Sequence, residues 1–487
     1  MKILKLFGDY PFIPSYLDNE REITDIVYDS RKAAAGKLFV AMRGVKSDGH
    51  DFCAAAYDAG CRDFVVERKV SLPDDAITYL VSDTRRALSV LSKNFFAIPF
   101  AGIRLIAVTG TKGKTSTCLM IKSILEKSGK KVGYIGTLGV MYDGREQRTE
   151  NSTPESYELF RFLREMYDCG CEFAVMEASS QGVKMKRTAD LFFDLCVFTN
   201  LSPDHIGPGE HESFEEYLAC KKELFGQCAL SAGNRDDKYY TSVVTNRHGA
   251  LTFGLSEGSD IKAENISFET DGGRFRTRFE CVEGGRRFEV MLPLPGMFSV
   301  YNALAAICSA RAFSIPYAQI TDGLADVHIK GRTEIVPGTG DISVIIDYAH
   351  NELSVKSLFD MLRLYNPRRL IAVFGCGGNR SKLRRYAMGE IISQNADLSV
   401  ITSDNPRYEN PDDIIADIMQ GVGDNKAKTI TIKDRREAIE YALSKASAGD
   451  IVAIVGKGDQ DYEEINGIKH PFSDPQIVAD YFRKASR

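Results

Sequence analysis

Short apolar runs bounded by polar or glycine-containing stretches recur along the whole chain. Leu38-Phe39-Val40-Ala41, Phe64-Val65-Val66-Glu67 and Thr78-Tyr79-Leu80-Val81 have the length and β-branched or aromatic content of strands. An alanine-rich helical piece, Phe52 to Ala59, lies among them. A second series opens with Arg104 to Val108, continues through a glycine-rich turn into a helix as far as Glu126, and adds strands at Phe173 to Met176 and Leu195 to Thr199. Residues 240–295 are rich in β signals and carry the pairs Gly272-Gly273 and Gly284-Gly285, which predicts a hairpin insertion before a helix over Asn302 to Phe313. A third series, Ile342 to Ile346, Leu370 to Phe374, Leu398 to Thr402 and Ile451 to Val455, is separated by helical patterns, as in a mostly parallel, doubly wound sheet. The expected fold is α/β in three domains, at residues 1–98, 99–332 and 333–487. No internal repeat, coiled coil or low-complexity tract interrupts it.

The length of 487 residues agrees with about three domains. At 44% hydrophobic and 26% charged residues there is material for several cores and no sign of disorder. A net charge of −5 is a poor footprint for nucleic acid, so none is expected as a partner. The 11 cysteines contain no C-x-x-C pair, which reads as reduced, mostly buried thiols. Met1 to Pro14 lacks the apolar core of a signal peptide, and no apolar run approaches the ~20 residues that span a bilayer. A cytoplasmic chain without membrane insertion is expected.

The sharpest chemical feature is Val108-Thr109-Gly110-Thr111-Lys112-Gly113-Lys114-Thr115-Ser116, between a predicted strand and a predicted helix. Glycines let backbone N–H groups converge on phosphate oxygens, and the helix N-terminus adds positive partial charge. Lys114 can reach the terminal phosphates of a nucleotide, and the Thr115 hydroxyl can ligate Mg²⁺. Val108 stands where the commoner G-x-x-x-x-G-K-[ST] loop has its first glycine. Glu177 ends the run Phe173-Ala174-Val175-Met176, and a carboxylate at a strand's C-terminal end is a credible Mg²⁺ ligand. His205, after the next β run, suits a second metal or a phosphate, or is simply structural. Tyr217 to Phe225 has the pattern of an amphipathic helix with exposed lysines, and nothing in that pattern singles out Lys221.

The shortened Gly110-Thr-Lys-Gly-Lys-Thr115 loop resembles that of the Mur ligase superfamily, and matching motifs follow in order over nearly the whole length. The pattern is most similar to the branch that adds a diamino acid to UDP-MurNAc-L-Ala-D-Glu. The resemblance implies a small uridine-nucleotide-binding domain, a central ATPase domain of the phosphate-loop type, and a Rossmann-like C-terminal domain that takes the amino acid. It implies nucleotide-end contact by Ser30, in Asp29-Ser30-Arg31, and substrate contacts by Asn151, Ser152, Thr153, Ser179 and Arg187. Gly110, Thr111, Lys112, Gly113, Lys114, Thr115 and Ser116 are then the ATP loop, joined by Asn302, Arg332 and Asp347, the last two brought by domain closure. Glu177 and His205 match metal-linked positions, and Lys221 matches a lysine that relatives carbamylate into a metal ligand. In the third domain Arg380, Asp404, Asn405, Arg407, Gly456 and Gln460 match amino-acid-binding positions. Asp404-Asn405-Pro406-Arg407 resembles the signature of members using meso-diaminopimelate, whose second carboxylate a guanidinium binds bidentately and which lysine lacks.

Several positions depart from the family pattern. Lys112 and Ser299 replace usual asparagines, and Gly456-Lys457-Gly458-Asp459-Gln460 stands where Gly-Lys-Gly-His-Glu is usual. Gln460 keeps hydrogen bonding but loses a charge that would pair with an ammonium. The implied reaction is ATP-dependent amide formation through an acyl phosphate, with Mg²⁺ as cofactor, ATP as co-substrate, small-molecule partners only, and a monomer as the working form. A lysine-adding or other diamino-acid-adding member and a non-catalytic nucleotide-binding paralogue remain open.

Overall fold

The structure is a computed structural model that describes residues 1–44, 47–203, 206–207, 210–245, 250–327, 329, 334–336, 339–458 and 460–485. The chain divides into two compact units, Met1–Lys262 with Tyr301–Gly323, and Ala263–Val300 with Leu324–Arg487. Among the described residues no helix is long and apolar enough to cross a membrane.

The first unit contains two sheets. The N-terminal sheet runs Ile13–Pro14, Ile77–Leu80, Asp63–Val66, Lys37–Val40, Asp25–Val27; all its pairs are parallel except the one made by the short edge strand, where Pro14 needs no ladder donor. The central sheet places Arg104–Thr109 between Phe193–Phe198 and Phe173–Glu177, all parallel. Cys228–Asn234 and Leu251–Gly254 continue it on one side, Val132–Gly136 on the other. Leu105, Ile106, Ala107 and Val108 are all buried, as expected of a parallel strand covered on both faces. The strand that feeds the glycine loop is therefore fully enclosed, and its C-terminal end is where ligands meet such sheets.

In the second unit, Arg274–Glu283 and Arg286–Leu292 form an antiparallel hairpin. Its turn is Gly284-Gly285 with φ of 56° and 84°, which suits a two-residue turn that demands positive φ twice. The C-terminal sheet runs Glu334–Ile335, Ser343–Asp347, Ile451–Val455, Leu370–Phe374, Leu398–Ile401, Thr429–Thr431, parallel apart from its first pair. Alternation sorts its side chains to two cores. Leu370, Ala372 and Phe374 join one, Ile371 and Val373 the other, so helices cover both faces.

Candidate active site

The loop after Arg104–Thr109 is shaped by its glycines. Gly110 lies so close to Thr199 that any Cβ would collide with its hydroxyl, and Gly113, at φ 84°, caps the helix Lys114–Lys127 beside the Asn302 amide. Thr199 Oγ1 donates to the Lys112 carbonyl at 2.7 Å, and Asn200 Oδ1 accepts from Lys112 N–H at 2.9 Å. The loop backbone is thus held from the neighbouring strand end, while the Lys112 side chain is exposed. Lys114 Nζ donates to the carbonyls of Gly110 (2.9 Å) and Thr111 (3.1 Å). Ser116 follows on the first helical turn, half-buried.

Glu177 faces this loop. Its carboxylate is 1% exposed and accepts from Thr115 Oγ1 at 2.8 Å, Tyr134 OH at 2.8 Å, Thr137 N–H at 2.8 Å and Thr137 Oγ1 at 3.0 Å. Four donors satisfy a buried acid and fix its direction. Burial and the neighbouring Glu177 charge push the Tyr134 phenol far above its usual range, so it stays a donor. Tyr134 and Thr137 were not singled out from the sequence; the signal available was their place at the end of Val132–Gly136, the strand paired with Glu177's own.

Lys221 is not on an exposed face. It is 1% exposed, donates to the Gly110 carbonyl at 3.0 Å, and lies 4.6 Å from the Tyr217 ring centre. Tyr217 OH in turn meets Thr111 Oγ1 at 2.9 Å. The helix Phe214–Leu224 therefore turns Lys221 onto the loop, whereas Lys222 keeps the exposed position the pattern suggests for both. The nearby His211, missed in the sequence, is buried, with Nε2 at 2.9 Å from Ser180 Oγ. Burial draws its pKa below the ordinary value against the pull of Glu216, which favours the neutral ring. His205 and Arg332 lie outside the described residues.

Thr153, Ser179 and Arg187 come together. Thr153 Oγ1 is 3.1 Å from Ser179 Oγ and donates to the Glu177 carbonyl at 2.9 Å; Arg187 donates to the Thr153 carbonyl at 3.0 Å and pairs with Glu155 at 2.7 Å. Asn151 and Ser152 precede them, exposed and half-buried. Ser30 opens a 3₁₀ turn in which the Asp29 side chain accepts from the Arg31 N–H. It makes no side-chain hydrogen bond to these residues among those described. Asn302 Oδ1 accepts from Thr117 Oγ1 at 3.4 Å, at the base of the loop.

In the second unit a pocket of about 210 Å³ opens at the C-terminal ends of four parallel strands. That is below the ~300–1,000 Å³ of drug-sized pockets and suits an amino-acid-sized ligand. Arg380, Asp404, Asn405, Arg407, Gly456 and Gln460 all line it. Arg407 sits at φ 53° and donates to the Gly378 carbonyl at 2.6 Å and to Glu464 at 3.3 Å. Gly456 leaves room for Asp404, whose carboxylate would be 2.5 Å from any Cβ there. Cys376 is pushed up to about 12 by burial and by the Asp404 charge. Asp347 ends its strand and accepts from Ala349 N–H at 2.8 Å. Asp459 lies outside the described residues. Lys457, Arg384 and Arg385 also shape this site and were not assigned from the sequence; Arg385, buried against Asp417 and Glu409, looks like an ordinary helix residue there.

A glycine loop from strand to helix, with a lysine and a threonine at the helix start and an acid on the neighbouring strand, defines an enzyme that handles a nucleoside triphosphate. Three family descriptions match in order: the Mur ligase family catalytic domain over residues 22–96, the Mur ligase middle domain over 108–310, and the Mur ligase glutamate ligase domain over 331–458. The UDP-N-acetylmuramoyl-L-alanyl-D-glutamate–2,6-diaminopimelate ligase of Caldanaerobacter subterraneus subsp. tengcongensis is 38% identical over 96% of both chains. That of Bacillus licheniformis is 38% identical over 98% of both. A solved structure of a ligase of the same name superposes with a TM-score of 0.78 at 26% identity, covering 100% of this chain and 99% of that one. The Thermotoga maritima MurF ligase in complex with ADP shares the fold, with a TM-score of 0.61 at 19% identity over 95% and 97% of the two chains. The chain belongs to the Mur ligase family.

Proposed function

We infer that this protein uses ATP to join meso-diaminopimelate to UDP-MurNAc-L-Ala-D-Glu in peptidoglycan precursor synthesis. The terminal phosphoryl group of ATP passes to the D-Glu side-chain carboxylate; the amine of the incoming amino acid then attacks the acyl phosphate, and an amide, phosphate and a proton result. Residues 1–98, with Ser30, hold the nucleotide end; residues 99–332 bind ATP; residues 333–487 bind the amino acid. Lys114 and the loop N–H groups neutralise phosphate charge, with Asn302, Arg332 and Asp347 as further ATP contacts. Asn151, Ser152, Thr153, Ser179 and Arg187 position the peptide carboxylate, which supplies the proximity that a three-substrate reaction needs.

Mg²⁺ fits what is present. Thr115 and Glu177 offer hard oxygens 2.8 Å apart, and Mg²⁺ commonly takes one or two protein oxygens with phosphates and water. Phosphate oxygens of ATP and water would complete the sphere. When bound, the ion offsets charge on the transferring phosphoryl group. Lys221, buried at the Gly110 carbonyl, would as a carbamate add a further anionic oxygen there. A reaction on ATP and a nucleotide-linked substrate belongs in the cytoplasm, with a monomer as the proposed working form.

The observation that carries this reading is the gathering of Arg380, Asp404, Asn405, Arg407, Gly456 and Gln460 around one pocket. Arg407 would have no distal carboxylate to bind if lysine were the substrate. The test is phosphate release by purified protein with ATP, Mg²⁺, UDP-MurNAc-L-Ala-D-Glu and a panel of amino acids, with product masses. Release that needs all components, with meso-diaminopimelate far ahead of lysine, is expected. ADP formation that ignores the amino acid, or equal use of lysine, overturns the reading.

A further inference from the structure

The segment from His211 to Lys221 reaches two parts of the candidate active site in the first unit. Its far end holds the phosphate loop: Tyr217 OH lies 2.9 Å from Thr111 Oγ1, and Lys221 Nζ donates to the Gly110 carbonyl at 3.0 Å. Its near end, His211, holds the turn that follows Glu177. His211 Nε2 lies 2.9 Å from Ser180 Oγ, and the imidazole ring stands 5.2 Å from that of Tyr217. Both His211 and Ser180 are buried, so this bond satisfies polar atoms that water does not reach. His211 Nδ1 makes no hydrogen bond among the described residues, but the Glu216 carboxylate stands 3.5 Å away. A carboxylate on that side favours the proton of a neutral ring on Nδ1, which leaves Nε2 to accept from the Ser180 hydroxyl. Ser180 adjoins Ser179, whose hydroxyl has a defined direction. Thr153 Oγ1 gives its one proton to the Glu177 carbonyl and accepts from Ser179 N–H at 3.0 Å. Ser179 Oγ accepts from Gly182 N–H at 3.0 Å and keeps its own proton to give. Lys184, at the other end of the same short helix, pairs with Glu216 at 2.8 Å, but both side chains are partly exposed and such pairs hold geometry weakly.

We propose that His211 is a positioning residue for the ligation: through Ser180 it fixes the turn carrying Glu177 and Ser179 at a set place relative to the loop that Tyr217 and Lys221 hold. The acceptor carboxylate and the terminal phosphate are then registered against one another by a single segment of chain. This rests on the reading of Thr153 and Ser179 as contacts of the acceptor substrate. His211 acts through Ser180 and not on the substrate itself. Without the bond to Ser180 the turn drifts against the loop, while each substrate keeps its own contacts. A drift of about 1 Å between reacting groups costs on the order of 100-fold in rate. The loss therefore falls on kcat and spares KM for ATP.

The experiment measures kcat, and KM for ATP and for UDP-MurNAc-L-Ala-D-Glu, in the full-length protein and in His211→Phe, His211→Gln, Ser180→Ala and the double variant His211→Phe with Ser180→Ala. His211→Phe keeps a ring against Tyr217 and removes Nε2; kcat should fall about 10- to 100-fold with KM for ATP within about threefold of the natural value. His211→Gln can bring an amide oxygen to the place of Nε2 and should return kcat to within about fivefold of the natural protein. Ser180→Ala, a small change that carries the test if His211→Phe does not fold, should lower kcat about as much, and the double variant should lose no more than either single one. A kcat within about threefold of natural in Ser180→Ala overturns the proposal, as do losses that multiply in the double variant. A His211→Gln variant as slow as His211→Phe assigns the loss to packing and overturns the role of the bond. A rise in KM for ATP as large as the fall in kcat overturns the division of labour between turn and loop. A natural protein that turns over no amino acid overturns the functional reading underneath, an outcome separate from all of these.

Discussion

Replacing Arg435 with methionine tests how the C-terminal sheet holds its pocket. Arg435 and Asp474 are each 1% exposed and joined by two hydrogen bonds, Nε to Oδ1 at 2.9 Å and Nη2 to Oδ2 at 2.7 Å. The same guanidinium donates to the carbonyls of Ser403 (3.4 Å) and Val455 (3.3 Å). These residues immediately precede Asp404 and Gly456, so one side chain ties two pocket-forming strand ends together. Arg435→Met leaves the Asp474 carboxylate buried without its cation, at a cost of about 3–5 kcal/mol. For a unit of 150–250 residues each kcal/mol moves Tm by about 2–4 °C, so its transition should fall by roughly 6–20 °C in scanning calorimetry. Arg435→Met with Asp474→Asn removes the stranded charge and should recover at least half of that loss. KM for the amino acid should rise on the order of tenfold as the strand ends drift, with KM for ATP unchanged. A single variant that loses less than about 1 kcal/mol, or a double variant no better than the single, would refute the argument that the pair's cost lies in an uncompensated buried charge.

Two further outcomes are open to direct measurement. Glu177→Gln places an NH₂ among the donors of Thr115, Tyr134 and Thr137 and weakens a metal ligand; ADP release should fall on the order of 10²–10³-fold and need more Mg²⁺ for half-maximal rate, and an unchanged Mg²⁺ titration would count against the assignment. Asp48 is partly desolvated, which alone would raise its pKa, but donors from the His50 backbone and ring outweigh this and hold it at about 2 in place of 3.8. Its contribution is therefore complete above about pH 4 and lost as pH falls toward about 2, so the Tm deficit of Asp48→Asn should shrink over that interval; a deficit that is constant with pH would contradict it.

Strand periodicity in the chain was enough to locate Leu370–Phe374 and Ile451–Val455 to the residue and the other runs singled out from it to within one or two, because a strand buried on both faces must be an unbroken apolar run, whereas Val132–Gly136 and Cys228–Asn234 of the central sheet were not singled out. The loop at Gly110 to Thr115 was equally legible, since a strand-to-helix turn makes a local demand for positive φ, met by Gly113 at 84°, that favours glycine. Family likeness named the positions around the pocket at the C-terminal strand ends, but no spacing rule brings Arg380, Asp404 and Gln460 together; parallel strand order does. Lys221 marks the limit most sharply. Helical periodicity gives it and Lys222 the same solvent-facing character, and only the packing of Phe214–Leu224 beside the Gly110 turn separates a buried loop contact from a surface charge. Local pattern determines which segments can be strands, helices and turns, because backbone sterics and burial act over a few residues. Which carboxylate meets Thr115, which side chain meets Asn405 and which lysine is enclosed are set by groups 55 to 111 residues apart in the chain, and those distances close only when the sheets form.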